Sequence, residues 1–454
     1  MISVVVPVYN ERPTIPIILK RIKNVPLDKE IIVVDDGSTD GTREFLESLR
    51  DSEIRVIFHP KNLGKGAALR TGFKYVNGDI IIIQDADLEY YPEEYLQLIK
   101  PITDGYADVV YGSRFIGTHR VFLFTHYFGN KILNFIANIL YNTNLSDLMT
   151  GYKVFKRDVI KNLRLEANGF GIEAEITAEI FRRNLRVYEV PISYRGRTYE
   201  EGKKITWFHF FVELYWLIRQ KFVIYNISLD TLLKMGFLRN YNRWIFNLIK
   251  PYLGKRILEI GAGIGNMTRY LLYAEQLVIT DISDENIFYL KSYFGEYENI
   301  RILKQDIAGS ELKELNNYDF DTIICLNLLE HIKDDKKALM NIYMLMKEDT
   351  RFIILSPALS LLMGSLDVSL GHYRRYNKKN LLYLLENTGF SVEKINYFNF
   401  LGAFGWFINS RILKKKSFSE IQIRLFDKFV KFLKLESIFK IPFGMSLIAV
   451  CKRK

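Results

Sequence analysis

The sequence contains very little cysteine. Only two cysteines occur among 454 residues, Cys325 and Cys451, and both lie inside apolar stretches. Two such thiols exclude a disulfide framework and are typical of a protein in a reducing compartment, where disulfides rarely persist. We therefore expect both side chains to be buried core thiols.

Long hydrophobic runs are also missing. No uninterrupted apolar run reaches the roughly 18 residues that a membrane-spanning helix needs. The first residues, MISVVVPVYN, have no basic segment before an apolar core, so we expect no signal peptide. The net charge of +11 indicates affinity for a membrane surface, nucleic acid or phosphorylated substrates. The aromatic content of 14%, clustered in particular segments, favours the membrane surface among these partners.

The most informative stretch of the first half covers residues 80–91, where four isoleucines precede Asp85, Asp87 and Glu89. Four consecutive isoleucines predict a strand that is buried on both faces of a parallel sheet. Three carboxylates at alternate positions after such a strand are costly unless a cation neutralises them. Carboxylate oxygens suit Mg²⁺ or Mn²⁺, and an ion held by few carboxylates keeps positions open for phosphates. The alternative is a solvated acidic turn that binds no metal.

Strands and helices alternate from the amino terminus, which predicts an α/β fold whose parallel sheet binds ligands at the carboxyl ends of its strands. The predicted strand ends carry polar groups. Tyr9 could stack on a nucleotide base, and Asp36 could bind ribose or base donors. Lys65 lies between two glycines, which would let the backbone approach a phosphate while the side chain supplies charge.

Four motifs, PVYNE, VVDDGSTDGT, NLGKGAALRTGF and QDADLEY, occur in this order in residues 1–222. With them, this part resembles a family 2 glycosyltransferase of the GT-A fold, in the branch of dolichyl-phosphate mannose synthase. The resemblance implies an inverting transfer of a sugar from a nucleotide-sugar donor. Many polyprenyl-phosphate enzymes of this group carry glutamine where this chain has Glu89, so the acceptor stays open. The resemblance also implies that the nucleotide is contacted by Pro7, Tyr9, Glu11 and Asp36. It implies that the metal is bound by the triplet Asp85, Asp87 and Glu89.

Cationic side chains are needed because a departing diphosphate must have its charge offset. Arg114 is the first candidate for this phosphate clamp and Arg120 the second. Further candidates to close over the site are Arg197, Lys203 and Lys204.

The acceptor decides whether a base is needed. If the acceptor is a hydroxyl, Asp147 is the candidate base. If it is a lipid phosphate, the group is already ionised, and Lys153 would help to hold it. Glu173 and Glu175 would either orient the acceptor or face solvent.

Two apolar segments predict contact with lipid. Residues 127–141 are predicted to form an amphipathic helix, with an asparagine at every fourth position from 130 to 138. This helix would either lie beside a lipid acceptor or pack its apolar face into the core. Residues 205–218, ITWFHFFVELYWLI, are too short to span a bilayer. Their aromatic content and basic flanks suit a helix lying in the headgroup region, and packing on the second domain is the alternative.

After a predicted helical linker at 223–238, the sequence EIGAGIG joins a predicted strand to a predicted helix at 266–272. With TDIS, QDI and NLLEHI, residues 239–454 resemble a class I S-adenosylmethionine-dependent methyltransferase with a Rossmann-like fold. The turn departs from the dehydrogenase form, which makes NAD the lesser interpretation. The absence of an (N/D)PP(Y/F) tetrapeptide argues against a nucleic-acid substrate. The predicted cofactor-binding residues are Glu259, Gly261, Gly263, Gly265, Asp281, Asp306 and Asn327.

Methyl transfer requires alignment first and a base second. His372 is the catalytic candidate, with Arg374 and Arg375 beside it to meet an acidic substrate. His331 is expected to surround the cofactor, and a structural role remains open for both histidines. Residues 396–412 are aromatic and glycine-rich, and the lysines at 414–416 after them suit anionic lipid headgroups.

The sequence therefore predicts an α/β protein with a GT-A-type nucleotide-sugar domain at 1–222 and a Rossmann-like class I methyltransferase domain at 239–454. We expect a bifunctional enzyme, peripheral at the cytoplasmic face of the cell membrane. It would use Mg²⁺ or Mn²⁺, a nucleotide-sugar and S-adenosylmethionine, act on polyprenyl phosphate or a lipid-linked glycan, and bind no nucleic acid. The alternatives are transfer to a saccharide hydroxyl with an unrelated methylation substrate, a nucleic-acid-modifying enzyme, and a scaffold in which one domain only binds ligand.

Overall fold

The computed structural model describes residues 1–121, 124–197, 208–223, 227–310, 312–434, 436 and 442–454. The chain forms two compact units, Met1–Val223 and Ile224–Lys454. Among the described residues, no helix combines the length and the apolar character that crossing a membrane would require.

The first unit is built on a seven-stranded sheet with helices on its faces. Its strands β1 to β7 are Ile2–Val8, Lys29–Asp35, Ile54–Phe58, Ile80–Ile83, Val109–Ser113, Lys153–Lys156 and Val187–Pro191. Its helices α1 to α8 are Ile15–Asn24, Thr42–Ser48, Lys65–Phe73, Tyr95–Thr103, Phe124–Tyr141, Arg157–Asn162, Ile172–Arg182 and Phe208–Phe222.

The apolar pattern of the sequence explains these elements. Every residue of β1 is buried, as expected for a central strand covered on both faces. In α1, the buried residues are Ile15, Ile18, Leu19 and Ile22, which is the spacing of one helix face packed on the sheet.

The strand order is β3-β2-β1-β4-β6-β5-β7. Strands β1 to β4 are parallel, so β1, β2 and β4 end at the same edge. The prediction of a parallel sheet holds for six of its seven strands, because β5 and β7 also pair in parallel and β6 alone runs antiparallel, to both β4 and β5. This reversal brings the loop before β6 to the edge where the acidic triplet lies.

The second unit has another seven-stranded sheet, ordered β10-β9-β8-β11-β12-β14-β13. Its strands β8 to β14 are Arg256–Ile260, Gln276–Asp281, Ile300–Lys304, Thr322–Leu326, Arg351–Pro357, Phe390–Phe398 and Ser446–Arg453. Its helices α9 to α16 are Ile227–Met235, Arg239–Ile249, Asp284–Phe294, Asp335–Leu345, Ser365–Leu370, Lys378–Asn387, Phe400–Phe407 and Glu420–Leu433.

Strands β8 to β12 are parallel, whereas β14 pairs antiparallel with both β12 and β13. The strand order reverses between β8 and β11, which opens a crevice at their carboxyl ends. Cys325 in β11 and Cys451 in β14 are fully buried, which confirms the prediction of core thiols. The predicted helix at 266–272 is wrong: this segment forms only a short 3₁₀ turn, Thr268–Tyr270, because the next strand begins at Gln276.

Candidate functional site

A cavity of about 360 Å³ lies at the carboxyl ends of β1, β2 and β4 in the first unit. Neighbouring parallel strands end at one edge, and this edge gathers side chains that are distant in the sequence. The predicted site residues that line the cavity are Pro7, Tyr9, Glu11, Asp36, Lys65, Asp85, Asp87, Glu89 and Arg114.

Arg197 joins three of the carboxylates around this cavity. Its Nη1 lies 3.2 Å from Oε1 of Glu11, and its Nη2 lies 2.9 Å from Oδ2 of Asp87. Its Nε lies 3.4 Å from Oε1 of Glu89, which also accepts from the backbone N–H of Arg197 at 2.8 Å. The sequence predicted that Arg197 closes over the site, and in the structure Arg197 contacts the acidic residues. Lys203 and Lys204 lie outside the described residues.

The three carboxyl groups of the acidic triplet lie close enough for their charges to interact. Burial, together with the charges of Glu89 and Asp85, raises the pKa of Asp87 to about 8. Arg197 opposes this rise, but its one guanidinium is shared among Glu11, Asp87 and Glu89. The three side chains offer only carboxylate oxygens, the donor set that Mg²⁺ and Mn²⁺ prefer, so the residues fit a divalent cation.

Lys65 connects the triplet to a buried ionic network. Its Nζ lies 2.7 Å from Oδ1 of Asp85 and 3.0 Å from Oε1 of Glu173. Burial alone would lower the pKa of Lys65, but these two carboxylates outweigh it and raise the pKa. Lys153 is fully buried and contacts Glu173 from the other side, so it is not placed to hold an acceptor phosphate.

Asp36 organises the loop that follows β3. Its Oδ1 accepts from the N–H of Leu63 at 2.9 Å and lies 2.7 Å from Nδ1 of His59, and its Oδ2 accepts from the N–H of Gly64 at 2.7 Å. These bonds leave at most one acceptor position on Oδ2 for a ligand. His59 was not identified from the sequence, because its pairing with Asp36 depends on the register of β2 and β3.

Gly151 marks a close approach to the triplet. A Cβ atom at this position would lie 2.3 Å from Oδ2 of Asp85. A side chain here would therefore displace the Asp85 carboxylate, so glycine fits this point of the loop without disturbing the triplet.

Arg114 and Asp147 form a buried pair. Nε and Nη2 of Arg114 each donate to Asp147 at 2.8 Å, and the backbone N–H of Arg114 donates at 2.9 Å. The side chain of Asp147 is completely buried and does not line the cavity. This placement argues against Asp147 as the base, since both oxygens are bound to Arg114. The geometry gives it a positioning role, holding the Arg114 guanidinium at the cavity wall.

We expect Asp147→Ala to destabilise the first unit by about 3–5 kcal/mol, because it leaves the Arg114 charge buried without a partner. The matched control is Glu93→Ala, which removes the carboxylate that contacts Arg21 at 2.6 Å on the surface. That change should cost at most about 1 kcal/mol. Denaturant unfolding of the two variants tests this difference. Equal effects would show that Arg114 does not depend on Asp147.

The asparagines of α5 hold the loop that carries Asp147. Asn134 accepts from the N–H of Leu148 at 2.8 Å and donates to the carbonyl of Ser146. Asn138 donates to the carbonyl of Leu145 at 3.0 Å. The predicted polar stripe therefore faces the protein, and the apolar side chains Phe128, Phe135 and Ile139 are exposed instead.

The remaining acceptor-side candidates are placed as follows. Glu175 is buried and accepts from the N–H groups of Glu166 and Ala167, and Glu173 is buried as well, so the solvent-facing interpretation is wrong for both. Arg120 is exposed, lines a different cavity and donates to the carbonyl of Gly196 at 3.2 Å.

Glu213 in α8 is a buried carboxyl that the sequence did not single out. Burial and the charge of Glu173 raise its pKa to about 8, against the opposing effects of Arg114 and Lys153. Because the folded state holds this proton more tightly than the unfolded chain, its contribution to stability is complete below about pH 4.5. That contribution is lost as the pH rises to about 8.

We expect Glu213→Gln to remove this pH dependence. The wild-type protein should lose on the order of 1–4 kcal/mol of stability between pH 5 and pH 9 that the variant keeps. Unfolding curves across this range measure the difference, with Glu47→Gln on the exposed surface as the matched control. A variant that follows the wild-type curve at every pH would contradict the assignment.

In the second unit, the glycine-rich turn follows β8. Gly261, Gly263 and Gly265 all have positive φ, at 71°, 57° and 83°. The N–H of Gly263 donates to Oδ2 of Asp281 at 2.9 Å, which ties the turn to the end of β9. Burial raises the pKa of Asp281, whose Oδ1 accepts from Ser283 and Asn286.

The other predicted cofactor residues lie at the ends of neighbouring strands. Glu259 is buried below the turn and accepts from the hydroxyl of Thr268 at 2.7 Å, and burial raises its pKa to about 8. Asp306 follows β10 and accepts from the N–H of Ala308 at 2.9 Å. Asn327 follows β11 with φ of 52°. All three therefore belong to the edge that carries the crevice.

His372 lies beside His331, with ring centroids 4.7 Å apart. Nδ1 of His372 lies 3.0 Å from the buried carboxylate of Asp367, which also accepts from Nε of Arg375 at 2.6 Å. Arg375 is therefore buried, and Arg374 is paired with Asp335, so the predicted cationic loop facing an acidic substrate is wrong. Burial and His372 lower the pKa of His331 to about 4.

Comparison with known proteins assigns both units. A model of glycosyl transferase family 2 matches residues 3–164, and a model of a methyltransferase domain matches residues 237–395. Dolichol-phosphate mannosyltransferase of Pyrococcus furiosus is 31% identical over 266 residues, which are 54% of this chain and 72% of that protein. The chain belongs to glycosyl transferase family 2.

Two further proteins are similar to this chain. Polyprenol monophosphomannose synthase of Mycolicibacterium smegmatis is 30% identical over 205 residues, 43% of this chain and 77% of that protein. A solved structure of glucosyl-3-phosphoglycerate synthase from Mycobacterium tuberculosis, with Mn²⁺, uridine diphosphate and glucosyl-3-phosphoglycerate, is 25% identical. It covers 44% of this chain and 74% of its own, with a TM-score of 0.36.

The two family matches confirm the resemblance predicted for each part of the chain. The fold class is α/β, with a GT-A-type unit followed by a Rossmann-like methyltransferase unit. The protein is an enzyme with a glycosyltransferase and a methyltransferase domain.

Proposed function

We propose that the first unit of this family 2 glycosyltransferase transfers a sugar from a nucleotide-sugar to polyprenyl phosphate or a lipid-linked glycan, with inversion and with Mg²⁺ or Mn²⁺. We further propose that the second unit uses S-adenosylmethionine to methylate a related glycan or lipid. The observation that carries the first proposal is the gathering of three carboxylates, Asp85, Asp87 and Glu89, in one cavity with Lys65, Arg114 and Arg197.

The chain's own residues would hold the donor at this edge. Asp87 and Glu89 would bind the ion with Asp85 behind them, and Tyr9 and Glu11 would contact the nucleotide. The bound ion would offset the charge of the leaving diphosphate without any proton transfer. Arg114 supplies a fixed positive charge at the cavity wall, since Asp147 holds its guanidinium before any ligand binds.

Arg197 would have two roles in this cycle. A divalent ion and a guanidinium compete for the same oxygens, and Arg197 contacts both Asp87 and Glu89. Asp87 and Glu89 would hold the ion in place of the guanidinium, and Arg197 would then be available to offset the charge of the diphosphate. Arg197 would thus pair with the carboxylates when no ion is bound and with the donor when one is.

The carboxylates of the cavity favour a phosphate acceptor over a hydroxyl. Within the described part of the first unit, each carboxylate that lines the cavity already contacts a basic side chain. The pairs are Glu11, Asp87 and Glu89 with Arg197, Asp36 with His59, Asp85 with Lys65, and Glu173 with Lys65 and Lys153. A hydroxyl acceptor needs a base and a lipid phosphate does not. The names of the two relatives, both polyprenol- or dolichol-phosphate mannosyl enzymes, support the same acceptor class.

Exposed apolar side chains on two helices of the first unit support binding to a membrane surface. On α5, Phe135 and Ile139 are each 65% exposed, and on α8, Phe211 is 54% exposed. The hydroxyl of Tyr141 donates to the carbonyl of Leu217 at 2.7 Å, so the two helices pack together. Aromatic and aliphatic side chains on adjacent helices, with Lys131 and Lys221 nearby, suit insertion among lipid headgroups.

The second unit carries a similar surface on α16. Its exposed residues Ile421, Leu425 and Phe432 share the helix with exposed Lys428 and Lys431. The sequence pattern predicted lipid contact for residues 396–412 but not for α16. An apolar stripe beside lysines supports a lipid-linked substrate for methylation.

A transfer assay with two acceptors tests the first proposal. The purified full chain is mixed with Mn²⁺ and a panel of sugar nucleotides, and with vesicles that contain either polyprenyl phosphate or a glycolipid with only hydroxyl acceptors. We expect product with polyprenyl phosphate. Transfer to the hydroxyl acceptor alone would overturn the phosphate assignment while keeping sugar transfer.

Vesicle co-sedimentation tests the membrane surface. We expect Phe135→Ser to reduce binding to anionic vesicles, because it removes an exposed ring from the α5 surface. Leu96→Ser is the matched control, since Leu96 is an exposed apolar residue on α4. Equal loss in both variants, or none in Phe135→Ser, would contradict the assignment of this surface.

Mass spectrometry tests the methylation proposal. Lipid-linked saccharides are incubated with the full chain and S-adenosylmethionine, and the products are examined for a methyl group. Methylation of the saccharide or lipid is the expected result. Methylation of RNA in place of these lipids would overturn the proposal.

A further inference from the structure

The second unit contains a group of two histidines and a glutamate that the methyltransferase assignment does not explain. Glu330 and His331 lie in a 3₁₀ turn just after β11, and His372 follows α13. One ligand atom from each of the three side chains lies within 4.8 Å of the other two. This spacing lets all three contact a single ion.

Both histidines are held through another contact. Nδ1 of His372 lies 3.0 Å from Oδ1 of Asp367, so Nε2 is the nitrogen left for a ligand. Asp367 is itself fixed by Arg375 and by Nε1 of Trp406, which donates to it at 3.1 Å. His331 hydrogen-bonds the backbone of Gly371. Histidines that bind metals commonly donate their second nitrogen to a carboxylate or a backbone carbonyl in this way.

Glu330 has an oxygen that the described residues leave unsatisfied. Its side chain is 1% exposed, and Oε2 is buried without a hydrogen-bond partner among them. A buried carboxylate oxygen with no partner is costly, and a bound cation would satisfy it. This observation is independent of the histidine geometry and points to the same ligand.

We propose that Glu330, His331 and His372 bind one divalent transition-metal ion of the Zn²⁺ type. Two imidazoles and one carboxylate suit Zn²⁺, Co²⁺ or Fe²⁺, whereas Mg²⁺ prefers oxygen ligands alone. Three protein ligands leave a coordination position open, as in metal sites that bind water or a substrate oxygen. The site follows β11, the strand beside β8, so it lies at the sheet edge that carries the glycine-rich turn.

Titration of the metal-free full chain with Co²⁺ tests this site. Excess Mg²⁺ is present to occupy the all-carboxylate sites. We expect one equivalent of Co²⁺ to give a visible d–d band that Zn²⁺ displaces, and affinity at least about 10²-fold lower in His331→Gln and His372→Gln. His119→Gln, at an exposed position of the first unit, is the matched control. Zn²⁺ should raise the melting temperature of the wild-type protein and the control only.

The result that overturns the site is a wild-type protein without the band, or histidine variants that melt normally without metal and still bind Co²⁺ as the wild type does. A second measurement needs no variant. X-ray absorption of the Zn²⁺-loaded wild-type chain should show two imidazole nitrogens at about 2.0–2.1 Å. A coordination shell made only of oxygen would contradict the proposal.

Discussion

Replacing Asp87 with asparagine is expected to lower sugar transfer by about 10³-fold, the scale lost when a main source of charge stabilisation is removed from an active site. Asp87 lies at the centre of the triplet, where burial and the charges of Glu89 and Asp85 raise its pKa. The amide keeps the size of the side chain but removes the negative charge that would hold the ion. Steady-state transfer with saturating donor and Mn²⁺ measures the loss.

The matched control is Asp79→Asn, which changes an exposed carboxylate at the opposite end of β4. It should leave transfer unchanged. Binding of S-adenosylmethionine should be unchanged in Asp87→Asn, because Asp87 belongs to the first unit and the glycine-rich turn to the second. Simultaneous loss of transfer and cofactor binding would argue against independent sites, and near wild-type transfer would argue against a metal role for Asp87.

Replacing Gly263 with valine is expected to weaken S-adenosylmethionine binding by at least about 10²-fold, as a strained backbone costs about 1–3 kcal/mol before any steric effect. Gly263 has φ of 57°, a region that a β-branched residue avoids. A Cβ atom at this position would lie 3.1 Å from Cδ2 of Leu232. The backbone N–H of Gly263 donates a hydrogen bond to Asp281. The substitution would therefore move the turn away from the end of β9.

Calorimetry with S-adenosylmethionine measures this effect. Gly405→Val is the control, because Gly405 in α15 has no atom within 4 Å of its added Cβ. Sugar transfer by the first unit should persist in Gly263→Val. This activity would show that the variant protein is folded in its first unit. Unchanged affinity for S-adenosylmethionine in this variant would refute the assignment of the turn.

Local patterns in the sequence were sufficient for the parts of the site that follow buried strands. The isoleucines of β4 place Asp85, Asp87 and Glu89 at the sheet edge, since four apolar residues in a row are buried on both faces. The glycine-rich turn after β8 was also predictable, for another reason. Its three glycines all have positive φ, a conformation that glycine adopts readily.

Pairings between distant segments were not predictable in this way. Asp147 is a carboxylate in a loop where a catalytic base is expected. Its two oxygens instead accept hydrogen bonds from Arg114, which is 33 positions away in the sequence. The asparagine stripe of α5 reads as a polar surface and instead holds the loop at 143–148. In each case the partner residue comes close because β6 is inserted antiparallel into the sheet. No local sequence pattern encodes this strand order.

The predicted helix at 266–272 failed for a related reason. Its composition allows a helix, yet the chain must return to begin β9 at Gln276. Nδ2 of Asn266 donates to the carbonyl of Leu232 at 2.8 Å and fixes the segment early. Tertiary contacts of this kind override a weak local preference.

Metal-dependent turnover of a nucleotide-sugar is the most direct test of the central claim. The full chain is freed of metal with a chelator and supplied with a panel of sugar nucleotides and polyprenyl phosphate, before and after Mn²⁺ is restored. The account predicts no transfer without the ion and transfer from at least one donor with it. Equal transfer in both conditions, or no turnover of any donor in the metal-loaded protein, would contradict it.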